Sequence, residues 1–221
     1  ASVTSLKMTG SGEGTIELGF VRTLGVDFVP NIVNRFLQQN PSKNINFNLS
    51  TGSGLTKDLI AGLKAQQYDM VLCSRLDREP SIDFVPIASQ DLVVIVPNGH
   101  PLAERQSIRI EETILYPQII FKKKSGLRYI IDDIFDKVGA YPEVIYEVEE
   151  DQVAAGVVAH GFGIAIVPHM DILVHMPVKT LLIEAPRWER FFYLATLKDT
   201  YKAPVVEKFR QFIIDNAEVQ L

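Results

Sequence analysis

Residues 14–74 read GTIELGFVRTLGVDFVPNIVNRFLQQNPSKNINFNLSTGSGLTKDLIAGLKAQQYDMVLCS, and the order of apolar periods in this stretch decides the fold. Thr15 to Val21 predicts a strand. Val29, Ile32, Val33, Phe36 and Leu37 then fall on one face of a helix. Pro30 sits in its first turns, where a missing N–H is tolerated, and Asn40-Pro41 stops it. Ile45, Phe47 and Leu49 alternate as a second strand. Thr51-Gly52-Ser53-Gly54 turns the chain into a helix marked by Leu55, Leu59 and Leu63. Asp69 to Ser74 is apolar on both faces and predicts a central strand of a parallel sheet.

The alternation continues to the C-terminus. Strands are expected at Phe84 to Ala88 and at Asp91 to Pro97. A short helix is expected around Ile110 to Leu115, followed by a strand at Gln118 to Phe121. A helix over Leu127 to Val138, a strand over Val144 to Val148 and a helix over Asp151 to Ala159 come next. Gly163 to Val167, Lys179 to Ile183 and Phe191 to Thr196 predict strands, and Ala203 to Asn216 predicts a closing helix. Strands alternating with helices of this length imply an α/β fold built of right-handed βαβ units and open parallel sheets, and two successive blocks suggest two lobes.

Composition narrows the functional classes. The 221 residues are 47% hydrophobic and 22% charged, an ordinary globular balance, with a formal net charge of −5. That balance argues against this piece gripping nucleic acid by itself, because DNA affinity comes largely from neutralised phosphates. The apolar runs are far shorter than the roughly 20 residues of a membrane helix. A single cysteine, Cys73, rules out an internal disulfide and suits a reducing cytoplasm. The small, polar start, residues 1–13, reads as a linker remnant.

Three stretches resemble the regulatory domain of LysR-type transcriptional regulators. They are Gly14 to Ser74, Leu92 to Ala103 (LVVIVPNGHPLA) with its His-Pro-Leu turn, and Val153 to Pro168 (VAAGVVAHGFGIAIVP). The closing helix with Pro204, Val205, Phe209 and Phe212 also fits. The resemblance implies two Rossmann-like lobes of the type 2 periplasmic-binding-protein kind, joined by a two-strand hinge. It places lobe I at 14–88 plus 169–215 and lobe II at 89–168. The hinge is expected near Ala88 to Leu92 and near Val167 to His169, where Pro168 would be a stiff crossover. It further implies a cytoplasmic effector-sensing domain, self-associating as a dimer or tetramer, that would control DNA binding through a separate N-terminal winged helix-turn-helix. The alternative is a secreted solute-binding protein of a transporter.

In open α/β sheets ligands sit beyond the carboxyl ends of strands, where helix N-termini favour anions. Three turns qualify: Val21 to Gly25, Thr51 to Gly54 and Lys124 to Leu127. Taken with the resemblance, whose effector site is lined at the positions matching Thr23 and Ser53, they make Thr23, Leu24, Gly52, Ser53, Arg75, Ser125 and Phe162 the candidate effector-binding residues. Ordinary N-capping is the competing explanation for Thr23, Ser53 and Ser125. Arg22, Arg75, Lys122, Lys123, Lys124 and Arg128 gather near these turns, so the expected partner is a small anionic metabolite such as a carboxylate. No catalytic residue, cofactor or metal ligand is expected. No nucleophile elbow or P-loop is present, Gly161-Phe162-Gly163 precedes a strand instead of following one, and His100, His160, His169 and His175 form no cluster. Glu149-Glu150-Asp151 reads as charge complementing a helix start.

Overall fold

The computed structural model describes residues 12–123, 125–184 and 187–217, together with the backbone of residues 219–220. The expected linker at 1–13 therefore lies almost wholly outside the described residues. The chain divides into two compact units. The first runs to Ala88 and resumes at Phe191; the second holds Ser89–Arg190.

In the first unit, β1 (Gly14–Phe20) pairs in parallel with β2 (Ile45–Ser50) and with β3 (Met70–Cys73). Helix α1 (Phe28–Gln38) connects β1 to β2, and α2 (Thr56–Lys64) connects β2 to β3. α1 forms because Phe28, Val29, Ile32, Val33 and Phe36 bury one face. Phe36 meets Phe209 and Phe212 of α6 (Pro204–Asp215) at ring-centroid distances of 4.9 and 5.3 Å. Full burial of each such side chain contributes about 1.5–3 kcal/mol. Asn40 ends α1 by donating from Nδ2 to the Phe36 carbonyl at 2.7 Å, and Lys208 of α6 donates to its Oδ1.

The sheet is mixed where parallel strands are expected. β10 (Glu189–Leu197) runs antiparallel to β3, with Leu194 opposite Leu72. The two strands expected at 84–88 and 91–97 are one, β4 (Ile82–Pro97). The polar Ser89-Gln90-Asp91 step that reads as a break is accommodated within the strand, Gln90 being buried and donating to the His169 carbonyl at 2.9 Å.

The second unit is built on the far half of β4, where Leu92 to Val96 are all buried. It pairs antiparallel with β8 (Ala165–Pro168) and with β9 (Val178–Ile183), and β9 pairs in parallel with the short β5 (Ser107–Ile108). A separate parallel pair, β6 (Gln118–Phe121) and β7 (Val144–Val148), packs with α4 (Gly126–Val138) and α5 (Asp151–Ala159); the short α3 (Ile110–Thr113) precedes β6. α4 stops at Gly139, whose φ of 72° is the left-handed conformation glycine adopts without cost.

The chain crosses between units inside β4, between Ala88 and Ser89, and returns inside β10, between Arg190 and Phe191. The return expected near Val167 to His169 is thereby corrected. Residues 169–190 belong with the second unit because β9 adds a strand directly to β4 there, Leu181 opposite Val94. Pro168 lies at the end of β8, opposite Leu92.

Candidate functional site

Two of the expected turns meet in the first unit. Residues Arg22–Gly25 form one 3-10 turn after β1. The Arg22 guanidinium donates to the Ser53 carbonyl at 3.2 Å. Gly54 permits this approach: its φ is +79°, and a Cβ there would stand 3.1 Å from Arg22 Cζ. Gly52 is also left-handed, with φ +51°, and its amide donates to Ser50 Oγ at 3.2 Å. The Ser53 hydroxyl donates to Asp58 Oδ2 at 2.6 Å and accepts the Leu55 amide at 3.2 Å.

Tyr68 braces this turn from behind. A Cβ on Gly19, Gly52 or Gly62 would come within 3.1, 3.3 and 2.5 Å of its side chain. Its hydroxyl lies 3.5 Å from Ser50 Oγ. Neither Tyr68 nor Asp58 is legible as a site residue from the sequence; the glycines at 19, 52 and 62 are the signal that a bulky ring fits among them.

The electrostatics of the turn favour an anion. The residue at the N-cap of α2 is Leu55, whose side chain has no acceptor and makes no capping hydrogen bond. The Thr56 and Lys57 amides thus keep their partial positive charge, while the Asp58 amide turns back to the Leu55 carbonyl, and the Arg22 guanidinium adds a full charge beside the turn. Asp58, in the first turn of α2, offsets part of that charge.

The other expected residues fall as follows. Thr23 is half-buried in the same 3-10 turn. Leu24 has 0% exposure, so its side chain belongs to the core. Arg75 is exposed just past β3, beside a groove formed with the loop leading into β4 and with Lys198. Ser125 and Phe162 lie in the second unit. Ser125 is the N-cap of α4, its hydroxyl accepting the Leu127 amide at 3.3 Å. Phe162 is 52% exposed and stands edge-on to Tyr146 at 5.5 Å.

Much of the remaining charge and chemistry is structural. Lys122 pairs with Glu149 at 2.8 Å, both exposed, and that hydrogen bond raises the lysine's pKa. Lys123 is exposed, and Lys124 lies outside the described residues. Arg128 is engaged by the Phe121 carbonyl at 2.7 Å, Asp132 at 2.8 Å and Glu147 at 2.9 Å. Asp151 opens α5; burial raises its carboxyl pKa, and the buried Arg190 opposes that rise. His100 accepts the Leu102 amide at 3.2 Å within its turn, and burial lowers its pKa. His160 closes α5 with Nδ1 at 2.9 Å from the Gly156 carbonyl. Cys73 is buried and its thiol is pushed up to about 12 by desolvation, which makes it inert at neutral pH. Among the described residues, no three His, Cys, Asp or Glu side chains cluster as a metal site, and no helix is long and apolar enough to cross a membrane.

Residues 9–218 match the family model described as the LysR substrate binding domain. The chain belongs to that family. Among its LysR-family relatives is the uncharacterized HTH-type transcriptional regulator YybE of Bacillus subtilis, 34% identical over 204 residues, which cover 92% of this chain and 68% of that protein. The transcriptional dual regulator GltC of Bacillus subtilis is 25% identical over 204 residues, 91% of this chain and 67% of that protein. The chain thus spans about two thirds of the length of these curated relatives. In structure it is similar to the effector binding domain of QuiR in complex with shikimate. The TM-score is 0.87 and the identity 38%, covering 93% of this chain and 98% of that one. The fold is that of LysR effector-binding domains, and these relatives are transcriptional regulators, not enzymes.

Proposed function

We propose that this LysR-family domain senses a small anionic metabolite, a hydroxylated carboxylate being the first class to try, and so controls DNA binding by a helix-turn-helix domain in a longer protein. The observation that carries the proposal is the uncapped start of α2 with Arg22 fixed on the Ser53 carbonyl. A helix start of this kind favours an anion by about 0.3–1 kcal/mol, and by up to about 2 kcal/mol when partly buried. Thr23, Gly52 and Ser53 are the proposed contacts in the first unit. Ser125 and Phe162, in the second unit, remain candidate effector residues in their own right. The QuiR domain, 38% identical, is described with shikimate, a molecule of that class.

A ligand can shift the regulator only by the difference in its affinity for the two regulatory states, typically about 1–3 kcal/mol. The domain is further proposed to act in the cytoplasm as a dimer or tetramer; a light-scattering mass near 24.7 kDa across the micromolar range would speak against self-association.

The test of the site is calorimetric titration of the 221-residue chain with shikimate. Binding is expected, weakened about tenfold, or about 1.4 kcal/mol, by Thr23→Val and by Ser53→Ala. Unchanged affinity in both variants would remove the site assignment. Absence of binding by shikimate and by other hydroxylated carboxylates would remove the ligand class.

A further inference from the structure

A serine hydroxyl has one proton and two lone pairs, and at Ser53 the turn already engages the proton and one of the pairs. The proton goes to Asp58 Oδ2 at 2.6 Å, and one lone pair takes the Leu55 amide at 3.2 Å. The first bond has the length usual for a hydroxyl donating to a carboxylate, about 2.5–2.7 Å, a charge-assisted kind roughly twice as strong as its neutral counterpart. A carboxylate only accepts and a backbone amide only donates, so neither partner allows the hydroxyl to turn over. One lone pair is left. Ser53 can accept from a ligand and has no proton to offer it.

The start of α2 fixes both partners together. Leu55 is its N-cap and Asp58 stands in its first turn. The Asp58 and Leu59 amides each donate to the Leu55 carbonyl at 3.1 Å. The Gly54 amide closes the turn on the Thr51 carbonyl at 2.7 Å, and its left-handed φ of +79° lets the chain reverse between Ser53 and the helix.

The donors of this turn therefore lie elsewhere, at the Thr56 and Lys57 amides and the Arg22 guanidinium. A carboxylate brought to Ser53 Oγ would set lone pair against lone pair, beside the Asp58 charge. A hydroxyl brought to the same point donates to it.

On the strength of the effector site proposed above, we propose that Asp58 is a positioning residue that sets the polarity of the ligand. By holding the Ser53 proton it makes Ser53 an acceptor, so the ligand presents a hydroxyl to Ser53 and its carboxylate to the helix amides and Arg22. Preference for a hydroxylated acid over an acid of the same shape that cannot donate comes from Asp58, acting through Ser53.

The test is calorimetric titration of the 221-residue chain with shikimate and with the three analogues in which one ring hydroxyl is replaced by fluorine, an atom that cannot donate. The native chain is expected to bind one analogue about tenfold more weakly than shikimate. That ratio is expected to fall to about threefold or less in Ser53→Ala, which lacks the acceptor, and in Asp58→Ala, where the hydroxyl is free to turn and donate. Loss of the Asp58 charge acts on all four anions alike, so the ratio isolates the hydroxyl. In the Ser53→Ala background, Asp58→Ala is expected to leave the ratio unchanged, which a merely structural role would not require. Circular-dichroism melting verifies that each variant is folded. Equal binding of the four compounds by the native chain, a ratio kept near tenfold in either single variant, or an effect of Asp58→Ala that persists without Ser53 would each overturn this assignment and leave the site itself in place. Absence of shikimate binding would instead remove the site reading, and this inference with it.

Discussion

Ser53 and Ser125 occupy the same kind of place, between a strand and the helix that follows, yet they are used differently. Ser125 is the N-cap itself, and its hydroxyl accepts the Leu127 amide, which closes the start of α4. Ser53 lies two residues ahead of the cap. Its hydroxyl holds the turn together through Leu55 and Asp58, and the cap position falls to Leu55, whose side chain accepts nothing. The first arrangement satisfies a helix end; the second leaves one available. A hydroxyl in a strand-to-helix turn is thus not by itself a sign of either role, and its offset from the cap decides.

The glycines of the two regions repeat the contrast. At Gly54 a Cβ would meet only the guanidinium of Arg22, a group that can move, so the cost there is mainly that of its left-handed φ of +79°. At Gly163 it would stand 2.5 Å from the Pro117 carbonyl, which is backbone. Gly163→Ala is accordingly expected to show the largest stability effect, a loss of about 1–3 kcal/mol in denaturant unfolding from forced repacking. A loss no greater than that of Gly54→Ala would break the distinction between a glycine kept for packing and one kept for a side chain's approach.

The serines come next. Ser53→Ala is expected to change stability by less than about 0.5 kcal/mol, its effect falling on ligand affinity instead. Ser125→Ala is expected to lower stability by about 1 kcal/mol through loss of the cap. Equal stability losses in the two variants would mean that the hydroxyls do the same work.

The smallest effect concerns α3, a third helix start, closed by a carboxylate. Glu112 accepts from Arg105 at 2.6 Å and from the Arg109 amide at 3.0 Å. The Arg105 hydrogen bond, helped by that amide, holds the Glu112 carboxyl at about 2, below its ordinary 4.5. A lowered folded-state pKa contributes stability that is full above the ordinary value and is lost as pH falls from about 4.5 towards about 2. The pair is solvent-accessible and screened, so the change in melting temperature between pH 7 and pH 3 should be only slightly larger for the native chain than for Glu112→Gln. Indistinguishable changes would show that this helix start gains nothing from its carboxylate.

The order of elements was legible in the sequence because each helix and strand carries its own apolar period; α4, β6, β7 and α5 stand within a residue of their expected bounds. Long-range pairing was not. Nothing local in Lys179 to Ile183 tells that it will lie against Val93 to Pro97, so the return crossing was expected too early. Ser89-Gln90-Asp91 reads as a loop because three polar residues seldom continue a buried strand, and only the distant His169 carbonyl shows how Gln90 is accommodated there. The Thr51 to Gly54 turn was readable from its glycines and hydroxyls. The setting of Arg75 was not, since Lys198 reaches the same groove from the other end of the chain. The burial of Leu24 was not legible either, since a residue within a short 3-10 turn can point into the core as easily as out of it.

Cys73, the chain's single cysteine, makes the molecule a convenient host for a reporter. Burial pushes its thiol up to about 12, so the side chain stays protonated and shielded at pH 7. Alkylating dyes should therefore pass the native chain by. A cysteine introduced at Val26, 82% exposed and three residues beyond Thr23, would take a single fluorophore without any need to remove the native thiol. Occupancy of the turn could then be followed optically in a chain that keeps its native Cys73.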